Sequence, residues 1–511
     1  MFLRRMLFLN CLCIIVCFNV STIINRERRS NQNNVKIGSH ISHITELTKT
    51  DNDNNATNTV RYYPLFETLT ENKELIFRPL DLLSAWRFDI MAKYIYAKYR
   101  ELGAQNNWAR LLYGEHLKVW GNFTESWPKK SGLDQFLQSF NEILDSIKLY
   151  GFSTQFSVVP IDKRKLISNG SHRVAACLLY NQDVVCKYYS KWQSPLASAE
   201  YFRKNQQYVR GGLPQKYLDA MALEYCVLKK NTYIVHVFPI VPGNDEMLRL
   251  VLNEYGNIVY EKKVHLHHNG PLNYIRLTYQ GDSWLGTVEN NFLGARIDAK
   301  KKFGSNSNPM RVFLFECDNL AKIIECKKRL RSLFNFGNYS IHINDTHEQS
   351  VELAQTLFND NSIHVLNWAH QARFGLFERF ILEYKSLLKK MNVPQECFCV
   401  DSSAVLSVYG IRECKDLDFL HHGYDQEIRT TQTKFVSSHN SSLHHHTISL
   451  DDIIFNPDNY FYYKGLKFAA LHVIKNMKTR RNEEKDTIDL KLIENHFNVW
   501  KKRCEMYSYI Y

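Results

Sequence analysis

Apolar residues recur at helical spacing through Leu80–Leu102 and again through Leu133–Leu149, which predicts two helices. Between 155 and 190 the pattern changes to strand, turn, helix, strand. Gln155–Pro160 and Asp183–Tyr188 are the strands, a basic connection carries Lys163, Arg164 and Lys165, and the turn Asn169–Arg173 opens the helix Val174–Tyr180. Aromatic and aliphatic residues alternate with polar ones in Tyr233–Ile240, Asn257–Leu266 and Tyr274–Tyr279, a β-rich section. Met310–Glu316 reads as a buried strand before a basic helix. Ser340–Ile343 reads as another strand, with Thr346 capping a helix from Glu348 to Asn359. Phe374–Met391 is amphipathic at helical period and ends before Val393-Pro394. Next come a short apolar strand, Cys397–Val400, a small polar turn of Asp401, Ser402 and Ser403, an apolar run to Tyr409-Gly410, and a second strand, Asp416–Leu420. Tyr460–Phe468 reads as one strand, and a last helix opens in the charged stretch Met477–Asp489.

This order predicts a mixed α/β (α+β) protein. Its 511 residues exceed one hydrophobic core, and the pattern divides them at 62–225, 230–365 and 370–511. Residues 26–60, rich in Asn, Thr and Ser, read as a flexible stem. Residues 6–25 are apolar and follow Arg4 and Arg5, the pattern of a signal peptide or signal anchor. The expectation is therefore a single-pass membrane protein of the secretory pathway, its catalytic part luminal in Golgi or ER, or a secreted protein if the leader is cleaved.

A hydrophobic share of 44% excludes a disordered chain, and a net charge of +13 points to anionic partners. Lys and Arg are spread along the sequence rather than massed in a tail, so nucleic acid is not the expected partner. Sequons at Asn55, Asn122, Asn169, Asn338, Asn344 and Asn440 agree with a glycoprotein. Nine cysteines lie beyond the leader with no zinc spacing among them, and some disulfides are expected if the compartment is oxidising. No Walker-type glycine loop occurs, which excludes a P-loop kinase.

Two stretches carry candidate chemistry. Gly170, Ser171, His172 and Arg173 place a glycine, a hydroxyl and basic side chains at a helix start, a plausible phosphate cradle. Asp416 and Asp418 alternate along a strand, so both carboxylates should point the same way. A divalent cation, Mg²⁺ or Mn²⁺, would relieve their repulsion and hold substrate phosphates. Ser402 and Ser403 stand at the preceding turn, where free N–H groups can meet a phosphate. The bland readings are an N-capped helix for the first stretch and a solvated strand edge for the second. His342 and His347, at the end of a strand, are further candidates for a metal site or general base.

The segment Asn169-Gly170-Ser171-His172-Arg173, with Ala175 and Ala176 following, resembles the ParB/sulfiredoxin-like fold over about 40 residues. The resemblance implies a nucleotide-phosphate loop, with Asn169 where that family usually has an acid. The stretch from Asp401 to Phe419 resembles the nucleotidyltransferase superfamily and its LicD/fukutin branch. That likeness implies Ser402 and Ser403 on the donor phosphates, Arg412 at the branch's arginine, and Asp416 and Asp418 on the metal. It departs in having Asp401-Ser402 in place of the turn glycine, and it leaves the usual third acid open among Asp451, Asp452 and Asp458. The stretch around Lys485 and Asp486 is similar to the basic C-terminal region of such proteins, with Lys485 toward phosphate. Together these imply a transferase moving a nucleotidyl or phospho-sugar group from a nucleotide or nucleotide-sugar to a glycan or glycoprotein. The alternatives are a non-catalytic nucleotide or glycan binder on a degenerate fold, and a ParB-like nucleotide-dependent kinase or hydrolase.

Overall fold

The computed structural model describes residues 74–508, apart from 106, 127–128, 156–157, 192, 244, 305–307 and 371–373. The leader and stem expectations fall outside these residues. Among the described residues no helix is long and apolar enough to cross a membrane, which corrects the expectation of a single-pass membrane protein with a luminal part. Residues from Val60 onward form one compact unit.

The fold is mixed α/β, with helices packed around small sheets. The first sheet joins β1 (Glu74–Phe77), β5 (Val184–Tyr188) and β4 (Val159–Ile161) in that order. β5 is antiparallel to β1 and parallel to β4. A parallel pair needs a crossover, and the helix Ser171–Tyr180 supplies it. A small hairpin, β2 (Thr124–Ser126) with β3 (Lys129–Ser131), lies nearby in sequence.

The second sheet runs β7 (Asn257–Val264), β8 (Met310–Glu316), β6 (Thr232–Val237), β9 (Ile341–Ile343), all antiparallel. Alternation along β6 and β8 sends Val235, Val237, Phe313 and Phe315 to one face. There they meet Ile323, Cys326 and Leu330 of the helix Leu320–Phe334 in a core of their own. Ile234, Val312 and Leu314 face the other way, into the main core.

The third sheet has the order β12 (Val436–Ser438), β11 (Leu417–His421), β10 (Phe398–Val400), β14 (Leu466–Ala469), β13 (Tyr460–Tyr463). β10 is central, antiparallel to β11 and parallel to β14. The main core runs through all three stretches of chain: Tyr99 meets Phe455 at 5.3 Å and Phe88 stacks on Tyr260 at 6.4 Å.

Several elements differ from their sequence reading. Tyr274–Tyr279 is not a strand, because Gly270–Thr278 is a helix. Pro271 fits its first turn, and buried Tyr274, Ile275 and Thr278 repeat at helical spacing under a β-like composition. Tyr460–Phe468 is two strands, β13 and β14, because Lys464 and Gly465 both take positive φ, 50° and 77°, the conformation of a tight hairpin turn. The C-terminal charged stretch closes one helix, Leu471–Arg481, at Asn482 (φ 55°) before the next begins at Glu484. Eight described cysteines are free and buried, small apolar residues of the core rather than disulfide partners. Asn344 of one sequon is wholly buried and bonded to Ile234, Thr346 and Ser350, which leaves no room for a glycan there.

Candidate functional site

The chain leaves β10 at Asp401, whose N–H donates to the Asp418 carbonyl of β11 at 2.8 Å. Ser402 then takes φ 61° and ψ −135°, a conformation that favours glycine, so the turn carries strain where the resembled family has its small residue. The helix that follows, Ser403–Val408, has only six residues, too short to develop the N-terminal phosphate site expected at Ser402 and Ser403. It ends at Gly410 (φ 71°), where a Cβ would stand 2.7 Å from the His370 carbonyl.

Asp401 is fully buried. His439 Nδ1 donates to its Oδ2 at 2.9 Å and His446 Nε2 donates to the same oxygen at 3.1 Å, while Oδ1 has no partner among the described residues. Burial alone would raise the carboxyl, but the two imidazoles outweigh it and hold Asp401 well below the usual carboxylate range. For His439, burial works against the charged ring, yet Asp401 and then Asp418 hold it above its ordinary value. Asp418 is half-buried. Desolvation raises its carboxyl, His439 opposes this, the Asp416 and Asp401 carboxylates add to the rise, and a hydrogen bond from Ser402 tempers it. Asp416 is exposed and lies just before β11, which starts at Leu417, so the two acids are less equal than strict alternation suggests.

Arg412 does not reach the turn as a free cation. It is paired to Asp489 at 2.5 and 2.8 Å. Buried Lys478 bridges Asp489 at 2.7 Å and Asp486 at 3.2 Å, and Arg481 grips Asp486 at 2.7 and 2.8 Å. This network ties the loop after the turn to both C-terminal helices. It also brings Arg481 within electrostatic reach of Asp401 and His439, while Arg480 donates to the His446 carbonyl at 2.9 Å. Lys485 points outward, paired with Glu483 at 2.9 Å.

The three candidates for a third acid are engaged elsewhere. Asp451 pairs with His422 at 2.8 Å, Asp452 caps its helix with Ser449, and Asp458 pairs with Lys216 at 2.7 Å. The acid that stands beside Asp418 is Asp401, read in the sequence only as part of a polar turn. Its signal was present, an acid directly after a buried strand, but His439 and His446 join it from about 40 residues away in sequence.

The second candidate, the Gly170 turn, is also built. Gly170 has φ 90°, and a Cβ there would meet Arg173 Nη2 at 2.7 Å. Its N–H donates to Asn169 Oδ1 at 2.6 Å. His172 is hydrogen-bonded to the Tyr113 hydroxyl at 2.8 Å and desolvation pulls it well below its ordinary value, with Lys93 adding to the fall. Desolvation also pulls Arg173 down to about 9. Close by, buried Asp89 pairs with Arg87 at 2.8 Å and Lys93 at 3.0 Å, and fully buried His116 has no partner at either ring nitrogen among the described residues. None of Arg87, Asp89, Lys93 or His116 was singled out in the sequence, because only the fold brings them to Gly170–Arg173.

Among the described residues no group of three or more His, Cys, Asp or Glu side chains is arranged to hold a metal ion. Asp416 and Asp418 are what the acidic turn offers. Two carboxylates suit Mg²⁺, which keeps its waters and takes its remaining ligands from substrate phosphates. His342 and His347 are not together: His347 Nε2 bonds to the Cys226 carbonyl at 2.8 Å, and His342 faces His236. In comparisons with known proteins, no family model, no curated protein and no solved structure matches this chain.

Proposed function

We propose that the turn between β10 and β11 is a phosphate-transfer site. The reaction is transfer of a nucleotidyl or phospho-sugar group from a nucleotide or nucleotide-sugar to a hydroxyl acceptor on a glycan or glycoprotein. The observation that carries this reading is the placement of Asp401 and Asp418 on paired strand ends, joined by the Asp401 N–H on the Asp418 carbonyl at 2.8 Å, beside the strained Ser402; burial and then the neighbouring carboxylates raise Asp418. Natural cores avoid such repulsion unless a function repays it. Asp416 and Asp418 would hold Mg²⁺ or Mn²⁺, which when bound neutralises phosphate oxygens and stabilises charge on a leaving group. Asp401 is a positioning residue: it fixes two imidazoles and raises His439 above its ordinary value next to Asp418. Arg481 and Lys478 fix the helix ends behind them.

The test incubates the full chain with nucleoside triphosphates and nucleotide-sugars, with Mg²⁺ or Mn²⁺, and follows phosphorus products by ³¹P NMR. Turnover lost in Asp416→Asn/Asp418→Asn supports the proposal. Turnover that survives refutes it, and cation-dependent nucleotide binding without turnover makes this a binding protein instead.

A second reading rests on the Gly170 turn, where Arg173 follows the glycine and Arg87 and Lys93 outnumber Asp89 around an unsatisfied His116. It makes that turn the nucleotide-phosphate pocket of a kinase or hydrolase. Loss of activity in Arg173→Met with no loss in Asp416→Asn/Asp418→Asn would favour it.

A further inference from the structure

His236 of β6 and His342 of β9 are directly opposed across the two strands, their rings 5.5 Å apart. They face the helix Gly270–Thr278, whose Tyr274 hydroxyl is bonded to His236 Nδ1. With the tyrosine as donor to Nδ1, the neutral imidazole carries its proton on Nε2. Burial keeps both rings neutral, with Lys302 and Lys327 pushing the same way: His236 is lowered to about 3 and His342 falls well below its ordinary value.

The Nε2 of His236, the Nε2 of His342 and the Nε–H of Arg331 are all buried, and none meets a partner among the described residues. Arg331 lies within electrostatic reach of His342, as does Lys302, whose Nζ donates to Tyr279 at 2.6 Å and stands 4.2 Å over that ring. The Tyr279 ring packs against His342 at 4.9 Å. Lys302 is paired with Asp298 at 2.8 Å and Lys327 with Asp345 at 2.5 Å, which leaves Arg331 as excess positive charge at the spot. β9 is an edge strand, and Arg331, His342 and Tyr279 are only partly buried, so the spot lies beside the rim of the sheet.

Unpaired buried polar groups are rare, and the Arg331 N–H calls for an acceptor. A water oxygen has two lone pairs to offer, whereas a tetrahedral oxyanion has many. A metal ion is disfavoured by the neighbouring cations Arg331, Lys302 and Lys327. We propose that this edge of the second sheet binds a small tetrahedral oxyanion, phosphate free or as a phosphomonoester, through Arg331, His236 and His342. The proposal does not depend on the turn between β10 and β11.

The experiment titrates the full chain with inorganic phosphate and, separately, ribose 5-phosphate by calorimetry, at constant ionic strength in NaCl. Saturable binding weakened at least tenfold in Arg331→Met and in His342→Leu, but unchanged in Lys390→Met, on the exposed last turn of the helix Gly375–Met391, is the expected result. Tighter binding of ribose 5-phosphate than of phosphate assigns the site to a phosphomonoester; the reverse assigns it to the free ion. Because His342→Leu disturbs a packed edge, Arg331→Met, at the rim, is the deciding variant. No binding, binding equal in Arg331→Met, or His342-dependent binding of Zn²⁺ alone would overturn the proposal.

Discussion

Two strand-to-helix turns in this protein are built alike and charged oppositely. At the end of β10, Asp401, Asp416 and Asp418 converge, and one imidazole with a raised pKa, His439, answers them. After β4, Gly170–Arg173 gathers Arg87, Lys93, His116 and His172 near the buried Asp89. Each turn forces an uncommon backbone, Gly170 at φ 90° and Ser402 at φ 61°. The difference shows how each could meet a phosphate. The basic turn offers charge directly, whereas the acidic one needs a cation between itself and the phosphate.

The largest effect should come from Asp89, beside the basic turn. Asp89→Asn leaves Arg87 and Lys93 buried without their carboxylate and should cost about 3–5 kcal/mol, read as a fall in denaturation midpoint. If phosphate in millimolar amounts restores much of that loss, the basic turn is an anion site and the comparison sharpens.

Asp401→Asn follows, at roughly 3 kcal/mol, because two imidazoles lose their acceptor. Its pH dependence has two limbs. Asp401 is lowered on folding, so its stabilisation is present above the unfolded carboxylate value and is lost as pH falls through the folded one. His439 is raised on folding, so its share is full below the unfolded imidazole value and is lost as pH rises through the folded one. Urea midpoints across pH should therefore drop on both sides in the wild type and flatten in the variant.

Gly170→Ala should cost about 1–3 kcal/mol, since alanine at positive φ is strained and its Cβ would displace Arg173. The smallest effect has the opposite sign. Asp418 is raised on folding, so its ionisation opposes folding once pH passes its folded value. Asp418→Asn should stabilise the protein slightly at neutral pH and leave it unchanged in acid. Mg²⁺ should stabilise the wild type and not this variant. Destabilisation by Asp418→Asn at neutral pH would break the contrast between the turns.

Much of this was legible from local pattern. β8 falls on Met310–Glu316 as its apolar run predicts, and Gly375–Met391 follows its helical period. Thr346 caps its helix, accepting from Gln349 N–H at 3.2 Å. The two turns were legible too, through Gly170 and through the paired acids. The helix Gly270–Thr278 was not, because Tyr274, Ile275 and Thr278 are strand-favouring residue types buried at helical spacing. Nor were the partners of either turn. His439 and His446 reach Asp401, and Arg87, Lys93 and His116 surround Gly170–Arg173, only through packing between distant segments, which no local period encodes. Arg412 shows the converse: its place in the sequence suggested substrate, and the fold gives it to Asp489.

The most direct measurement of the central claim is calorimetric titration of the full chain with nucleoside triphosphates and nucleotide-sugars, with and without Mg²⁺, in the wild type, in Asp416→Asn/Asp418→Asn and in Arg173→Met. The account predicts Mg²⁺-dependent binding of at least one donor, abolished in the double variant and kept in Arg173→Met. Binding that ignores Mg²⁺, or that survives in the double variant and vanishes in Arg173→Met, would contradict it.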